Sequence, residues 1–361
     1  MKTHYIPSAV LLSLLLTAPS CKKNKNTDPD VKAYTVPATY NFGNTNYTTA
    51  TQRTRMAVEM DSYLKTANSG STLVALDQNK VNNMWNNTGS AFTESSLNTS
   101  GISIATQTAD AALYKSYADS VLIYNNGTTA AQGTGGFVAR GTNKIIVGPR
   151  GLEYGQAYTK GIMGSLCFKE AVSLLSSVKA MDPKDTIAAQ AAWDNAFGFL
   201  SIPANYDTSI TYASTDPNKP LLWGGYLAER GKPIQAGGII FGAFLKGRAA
   251  IGGYDRTVRD AQADIIMDKW EQLAAAAALN YVTAPTASSA IGNYGTQFHA
   301  LSEGFGFILS LQYRSAKSKL SAADFNTLNT IIHKDFYTLV NQAGFTDLVT
   351  AQNILKTTYG L

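Results

Sequence analysis

The stretch from Tyr294 to Tyr313 limits the architecture more than any other part of the chain. It reads Tyr-Gly-Thr-Gln-Phe-His-Ala-Leu-Ser-Glu-Gly-Phe-Gly-Phe-Ile-Leu-Ser-Leu-Gln-Tyr. Coiled into a helix, it is apolar nearly all round, and such a helix has to be covered by other elements on every side. The chain must therefore supply several helices to wrap it. Met56, Met60, Tyr63 and Leu64 recur at three- and four-residue steps, as do Leu113, Tyr117, Val121 and Tyr124. That is the spacing of one helical face.

The same pattern predicts helices from Thr51 onward, over 76–86, 106–125, 153–180 and 185–200, and then over 221–229, 234–250, 256–282, 293–314, 321–343 and 346–357. In 153–180, Leu166, Val172, Leu175 and Val178 form the core side, and Asp182-Pro183 stops the helix. In 256–282, Val258, Ala261, Ile265, Trp270, Leu273 and Ala277 are expected inward, and Arg259, Asp260, Asp264 and Asp268 outward. Asp324 falls in the first turn of its helix, where a negative charge suits the helix start. A Gly/Ser break covers 69–71 and a polar loop 86–101. Residues 126–150, with many Gly and Thr and the run Lys144-Ile145-Ile146-Val147, read as a loop or a small hairpin. The fold class is all-α and bundle-forming. A Pro-, Asn- and Asp-rich loop at 201–220 divides an N-terminal half, 49–200, from a C-terminal half, 221–361.

The first twenty residues end an apolar run, Ile6 to Leu16, with Ala18-Pro19-Ser20 and then Cys21. This is the pattern of a bacterial lipoprotein signal, too short for a spanning helix, which needs about twenty apolar residues. Cys21 is the expected lipidated residue, which places the protein outside the cytoplasm and tethered to a membrane. Residues 21–48, with Pro29, Pro37 and Gly43, read as tether and extended lead-in.

Charged residues make up 15% of the chain, below the roughly 25% usual for soluble domains, so Asn, Thr, Ser and Gln must cover much of the surface. The net charge of +5 is scattered. No stripe of arginines with interleaved aromatics is present, which argues against nucleic acid as a partner. With Cys21 lipidated, Cys167 has no disulfide partner and sits in an apolar run, as a buried structural thiol does. His4 leaves with the signal. His299 and His333 remain, so no three-histidine zinc site and no His-Glu-x-x-His motif can form. His333, beside Lys334, reads as a surface residue.

His299 and Glu303 are the exceptions within the apolar helix, together with Ser302. Four residues apart, they share one face. A carboxylate there must be paired, because burying it alone costs several kcal/mol. Three arrangements satisfy it: a polar pair that sets the helix register, two ligands of a metal ion completed by carboxylates of neighbouring helices, or an acid/base pair. Gly304 and Gly306 permit close approach by another helix or by a bound group. Glu153, just before an apolar helix, suits helix capping or ligation. Asp194 suits a salt bridge to Arg248 or Arg256, or ligation.

Five segments occur in order: Arg150-Gly151-Leu152-Glu153-Tyr154, Ala192-Trp193-Asp194-Asn195-Ala196-Phe197-Gly198, Leu222-Trp223-Gly224-Gly225-Tyr226, Ala243 to Ile251, and His299-Ala300-Leu301-Ser302-Glu303. Together they resemble a Bacteroidetes lipoprotein family described as domain of unknown function 4856, itself distantly similar to imelysin-like proteins. The resemblance implies an imelysin-like pair of helical bundles with long loops, facing the periplasm. Some imelysin-like proteins are metallopeptidases and others act in iron uptake. It therefore implies binding of a divalent metal (iron or zinc) or a small nutrient for uptake, with a metallopeptidase or a non-catalytic cell-envelope scaffold as alternatives. His299 and Glu303 would form the site core, with Asp194 and Glu153 as helpers. The imelysin-like hallmark is Gly-x-His-x-x-Glu. Here Gln297 stands in place of the glycine and Glu303 comes one position late. Ala192 and Asn195 stand where histidine and glutamate are frequent in the family. The scarcity of histidine weighs against a peptidase. Lysines rather than acids follow Cys21, which favours the periplasmic face of the outer membrane over the cell surface.

Overall fold

The structure, a computed structural model, describes residues 29–68 and 73–361. The expected signal peptide, the expected lipidation residue Cys21 and the expected break at 69–71 lie outside the described residues.

The helices run in the order α1 (Thr48–Lys65), α2 (Gln78–Asn86), α3 (Ser95–Asn98), α4 (Ile104–Gln107) and α5 (Ala111–Tyr124). A hairpin of β1 (Gly136–Arg140) and β2 (Asn143–Val147) follows, then α6 (Tyr154–Ile162), α7 (Lys169–Ala180) and α8 (Thr186–Leu200). After the long loop come α9 (Trp223–Glu229), α10 (Ala236–Gly252), α11 (Arg256–Thr283), α12 (Tyr294–Ser310), α13 (Ala322–Ile332), α14 (Phe336–Asn341) and α15 (Thr346–Tyr359). The protein is thus a helical bundle with one antiparallel hairpin, in which Phe137 pairs with Ile146 and Ala139 with Lys144.

α12 is the central helix that its composition demands: Phe298 and every residue from Ala300 to Ser310 are buried. α6, α11 and β1 cover it. Helices from before and after the long loop share one apolar core, with α12 seated on α6 and α10 on α8. The glycines of α12 admit a helix. A methyl on Gly306 would lie 2.4 Å from Lys160 Cβ and 2.6 Å from the Gly161 nitrogen. α6 and α12 therefore cross at near backbone contact.

Between α6 and α7 the chain widens into a π-helical stretch, Met163–Phe168. Outside donors take carbonyls from the regular ladder there. The Trp223 indole donates to Met163 O at 2.7 Å, and the Ala109 N–H donates to Ser165 O at 3.2 Å. Inserted partners of this kind are a recognised cause of such bulges.

Two expectations are corrected. The predicted helix 321–343 is two helices, because Asp335 starts a new one by accepting the Tyr337 N–H at 2.9 Å, while Phe336 N–H donates to Arg150 O. The buried face of α11 is phased differently: Ile265 is exposed and Arg259 buried, with Ala263, Ile266 and Met267 inward. Arg259 goes inside because its guanidinium reaches the Lys179 and Met181 carbonyls at 3.2 Å, closing the end of α7. Residues 29–47 form no helix or strand, and they are fixed to the body. Tyr40 is buried, its ring stacked 3.7 Å from that of Phe197, and Lys32 N–H donates to Gly253 O. Cys167 is fully buried, as its apolar run implies.

Candidate functional site

The polar residues of α12 meet those of α6. Asn293 caps α12 by accepting the Thr296 N–H at 2.9 Å. Two turns on, Ser302 donates to Phe298 O at 2.6 Å and accepts the Glu153 N–H at 2.8 Å. Ser302 thus fixes the residue that opens α6. Glu153 stands at the N-cap position, but its side chain makes no cap hydrogen bond. Its carboxylate faces α12 instead, with Oε2 2.7 Å from His299 Nδ1 and Oε1 accepting from Asn68 at 2.9 Å. The capping expectation fails because the buried carboxylate has stronger partners than the helix start offers.

The other edge of the imidazole faces Glu303, with Nε2 3.6 Å from Oε1. Lys160 Nζ lies 3.4 Å from the same oxygen. Both distances are longer than those of short hydrogen bonds. Lys160 reaches this place because Gly306 lets α6 sit against α12. The cluster extends through tyrosines. Lys160 Nζ lies 5.3 Å from the centre of the Tyr226 ring, the Tyr226 and Tyr281 hydroxyls are 3.1 Å apart, and Tyr281 reaches Glu229 at 3.3 Å. Burial first, and the nearby Glu303 charge among the further causes, holds both phenols well above their ordinary range, so they stay neutral. The side chain of Glu153 is 1% exposed, those of Glu303 and Lys160 10% and 11%, and that of His299 16%. His299 is the member of this group most open to solvent.

The structure thus brings together His299, Glu303 and Glu153. Asp194 is elsewhere, on α8, in an ion pair with Arg248 of α10 at 2.7 Å. Sequence reading missed Lys160, Tyr226 and Tyr281. Lys160 carried a signal: it is a lone charge in the apolar run of α6, two turns after Glu153 and on the same face. His333 is exposed, its Nδ1 2.7 Å from Asn329 O.

A carboxylate on Nδ1 with Nε2 left open is the arrangement that orients a metal-binding histidine. Nε2 and the Glu303 carboxylate then offer two donors. Among the described residues no three His, Cys, Asp or Glu side chains converge as metal ligands, and the Lys160 ammonium already neutralises Glu303. This donor set does not build a resident metal centre, which takes at least three protein ligands for zinc.

Fold and site define a mainly helical body in which the central helix and the start of α6 form a buried carboxylate–imidazole–carboxylate cluster. The chain belongs to the family described as Domain of unknown function (DUF4856), whose profile matches residues 37–358. No curated protein and no solved structure matches the chain.

Proposed function

We propose that the chain is a lipoprotein held at the outer membrane through Cys21, facing the periplasm, and that it captures a metal ion as cargo for uptake. His299 Nε2 and Glu303 make the protein's contacts, and the remaining coordination positions belong to water or to a small chelator travelling with the metal. The observation that carries this reading is the Glu153–His299 hydrogen bond, which fixes the ring with its open nitrogen toward Glu303. It draws support from the distant imelysin-like resemblance, in which the same two residues are the candidate site.

Equilibrium dialysis against iron(II), zinc(II) and copper(II) salts tests it. The parent should retain about one equivalent of at least one of these metals, and the His299→Ala/Glu303→Ala variant should retain none. Lys160→Met should bind more tightly, because it removes a competing cation from Glu303. Equal retention by the double variant and the parent would overturn the reading. The Lys160–Glu303 ion pair favours one alternative, a cell-envelope scaffold in which the cluster only holds α6 to α12. On that reading His299→Ala lowers the melting temperature and no variant changes metal retention.

A further inference from the structure

The start of α10 opens onto a groove away from His299. The groove has a volume of about 430 Å³ and is lined by Tyr206, Gly231, Lys232, Gln235, Gly237 and Gly238, among others. A second hollow of about 210 Å³ shares Tyr206 and Lys232 with it and adds Lys219 and Tyr212. α9 separates this groove from the cluster: Tyr226 belongs to the cluster, while Leu227 and Ala228 line the groove.

Three features converge. First, α10 begins without a side-chain cap, because Gln235 enters it in the left-handed conformation (φ 55°). Ala236 N–H is taken by Gly231 O, and the first bond along the helix runs from Ile239 N–H to Gln235 O. The N–H groups of Gly237 and Gly238, in the first turn, have no hydrogen-bond partner among the described residues. Second, Tyr206 is 9% exposed, and its hydroxyl has no hydrogen-bond partner among the described residues. That hydroxyl lies at the helix start: a methyl on Gly237 would sit 2.5 Å from it. Burial pushes the phenol up to about 12, so it remains a neutral donor. Third, Lys232 lines the mouth and Lys219 the adjoining hollow, neither in an ion pair among the described residues. Asp207, an acid along the second hollow, accepts the Ser209 N–H at 2.8 Å.

We infer that this groove binds the phosphate group of a small phosphate monoester, with Gly237 N–H, Gly238 N–H, the Tyr206 hydroxyl and Lys232 as donors. A helix N-terminus favours an anion through its free N–H groups and its dipole. Four donors suit the three terminal oxygens of a phosphate better than the two of a carboxylate. The volume beside them accommodates the organic part.

Phenyl phosphate is the probe, with benzoate as the carboxylate control, each titrated into the purified chain by calorimetry. The parent should bind phenyl phosphate saturably, and benzoate at least tenfold more weakly. Tyr206→Phe removes one hydrogen bond and should weaken binding about two- to tenfold, and Lys232→Ala by a similar factor. Gly238→Asp is the decisive variant. Nothing lies within 4 Å of the position its Cβ would take, and an acid in the first turn suits the helix. It should keep or raise the melting temperature and abolish phenyl phosphate binding. No saturable binding to the parent, unchanged binding to folded Gly238→Asp, or benzoate binding as tight as phenyl phosphate would each overturn the assignment.

Discussion

Asp194 offers the sharpest test of what holds the lead-in to the bundle. Its Oδ1 accepts from Arg248 Nε at 2.7 Å and from the Tyr40 hydroxyl at 2.8 Å; its Oδ2 accepts the Asn46 N–H at 3.1 Å. Arg248 also donates to Asn44 at 2.9 Å. Both ionic side chains are 2% exposed. Asp194→Ala therefore leaves a buried guanidinium without its counter-charge, a defect worth about 3–5 kcal/mol. Unfolding about 330 ordered residues at roughly 2.1 cal/mol/K each gives about 0.7 kcal/mol/K at the midpoint. The variant should then melt about 4–7 °C lower, followed by circular dichroism at pH 7. The loss should change little between low salt and 0.5 M salt, because screening hardly reaches a buried pair. Asp194→Leu combined with Arg248→Met removes both charges, so it should lose less than Asp194→Ala alone. Limited proteolysis should cut the Asp194→Ala variant within 29–47 sooner than the parent. A single variant within 1 °C of the parent, or a double variant at least as destabilised as the single, would refute the reasoning.

Burial pushes the Cys167 thiol up to about 12, so iodoacetamide at pH 8 should leave it unmodified in the folded chain and alkylate it in urea. Glu271 is held above its ordinary value of 4.5, chiefly by burial and against the opposing hydrogen bonds from Ser318 and Tyr359. A carboxyl raised in the folded state contributes stability below its unfolded value and loses it as pH rises through the folded value. Glu271→Gln should therefore melt higher than the parent at pH 7, with the gain shrinking toward pH 4; a gain that grows on acidification would reverse the sign. Gly306→Ala should cost about 1–3 kcal/mol through overpacking at the crossing. Gly304→Ala should cost less than Gly306→Ala, because its added methyl meets Tyr281 Cβ at 3.3 Å, a tight contact that a shift of a few tenths of an ångström relieves; a pair of thermal melts compares them.

Much of the fold could be read from the sequence because helix period and helix stops are local properties. The break at Asp182-Pro183, the start of α12 at Asn293 and the all-round apolarity of that helix each follow from a few adjacent residues. The errors arose where a distant partner decided the outcome. Arg259 is buried because the carbonyls at the end of α7 lie within its reach, a fact no window around Arg259 contains. The 321–343 helix breaks because Asp335 finds a cap and Phe336 N–H finds Arg150 O. The extended lead-in could be read, but not what holds it: Asp194 accepts from Tyr40, Asp255 from Tyr34 and Gly253 O from the Lys32 N–H, each over 140 positions away.

The candidate site divides along the same line. A lone charge in an apolar helix is visible in one dimension, and the demand that it be paired is physics rather than pattern. That logic singled out His299, Glu303, Glu153 and Asp194, the last of which pairs elsewhere with Arg248, and applied evenly it would have singled out Lys160 as well. Which charge meets which is fixed by how closely two helices cross, and here glycine sets that distance. Gly306 has no side chain to hold α12 off the backbone of α6, so Lys160 comes within ion-pair distance of Glu303. Gly306, which leaves room for a ligand on paper, is in the folded chain the reason a lysine occupies part of that room. Whatever reaches His299 must therefore compete with an ammonium already at hand. For that reason replacing Lys160, rather than removing Glu303, separates a binding site from a structural cluster: losing the acid weakens both, whereas losing the lysine weakens the structure and strengthens the binding.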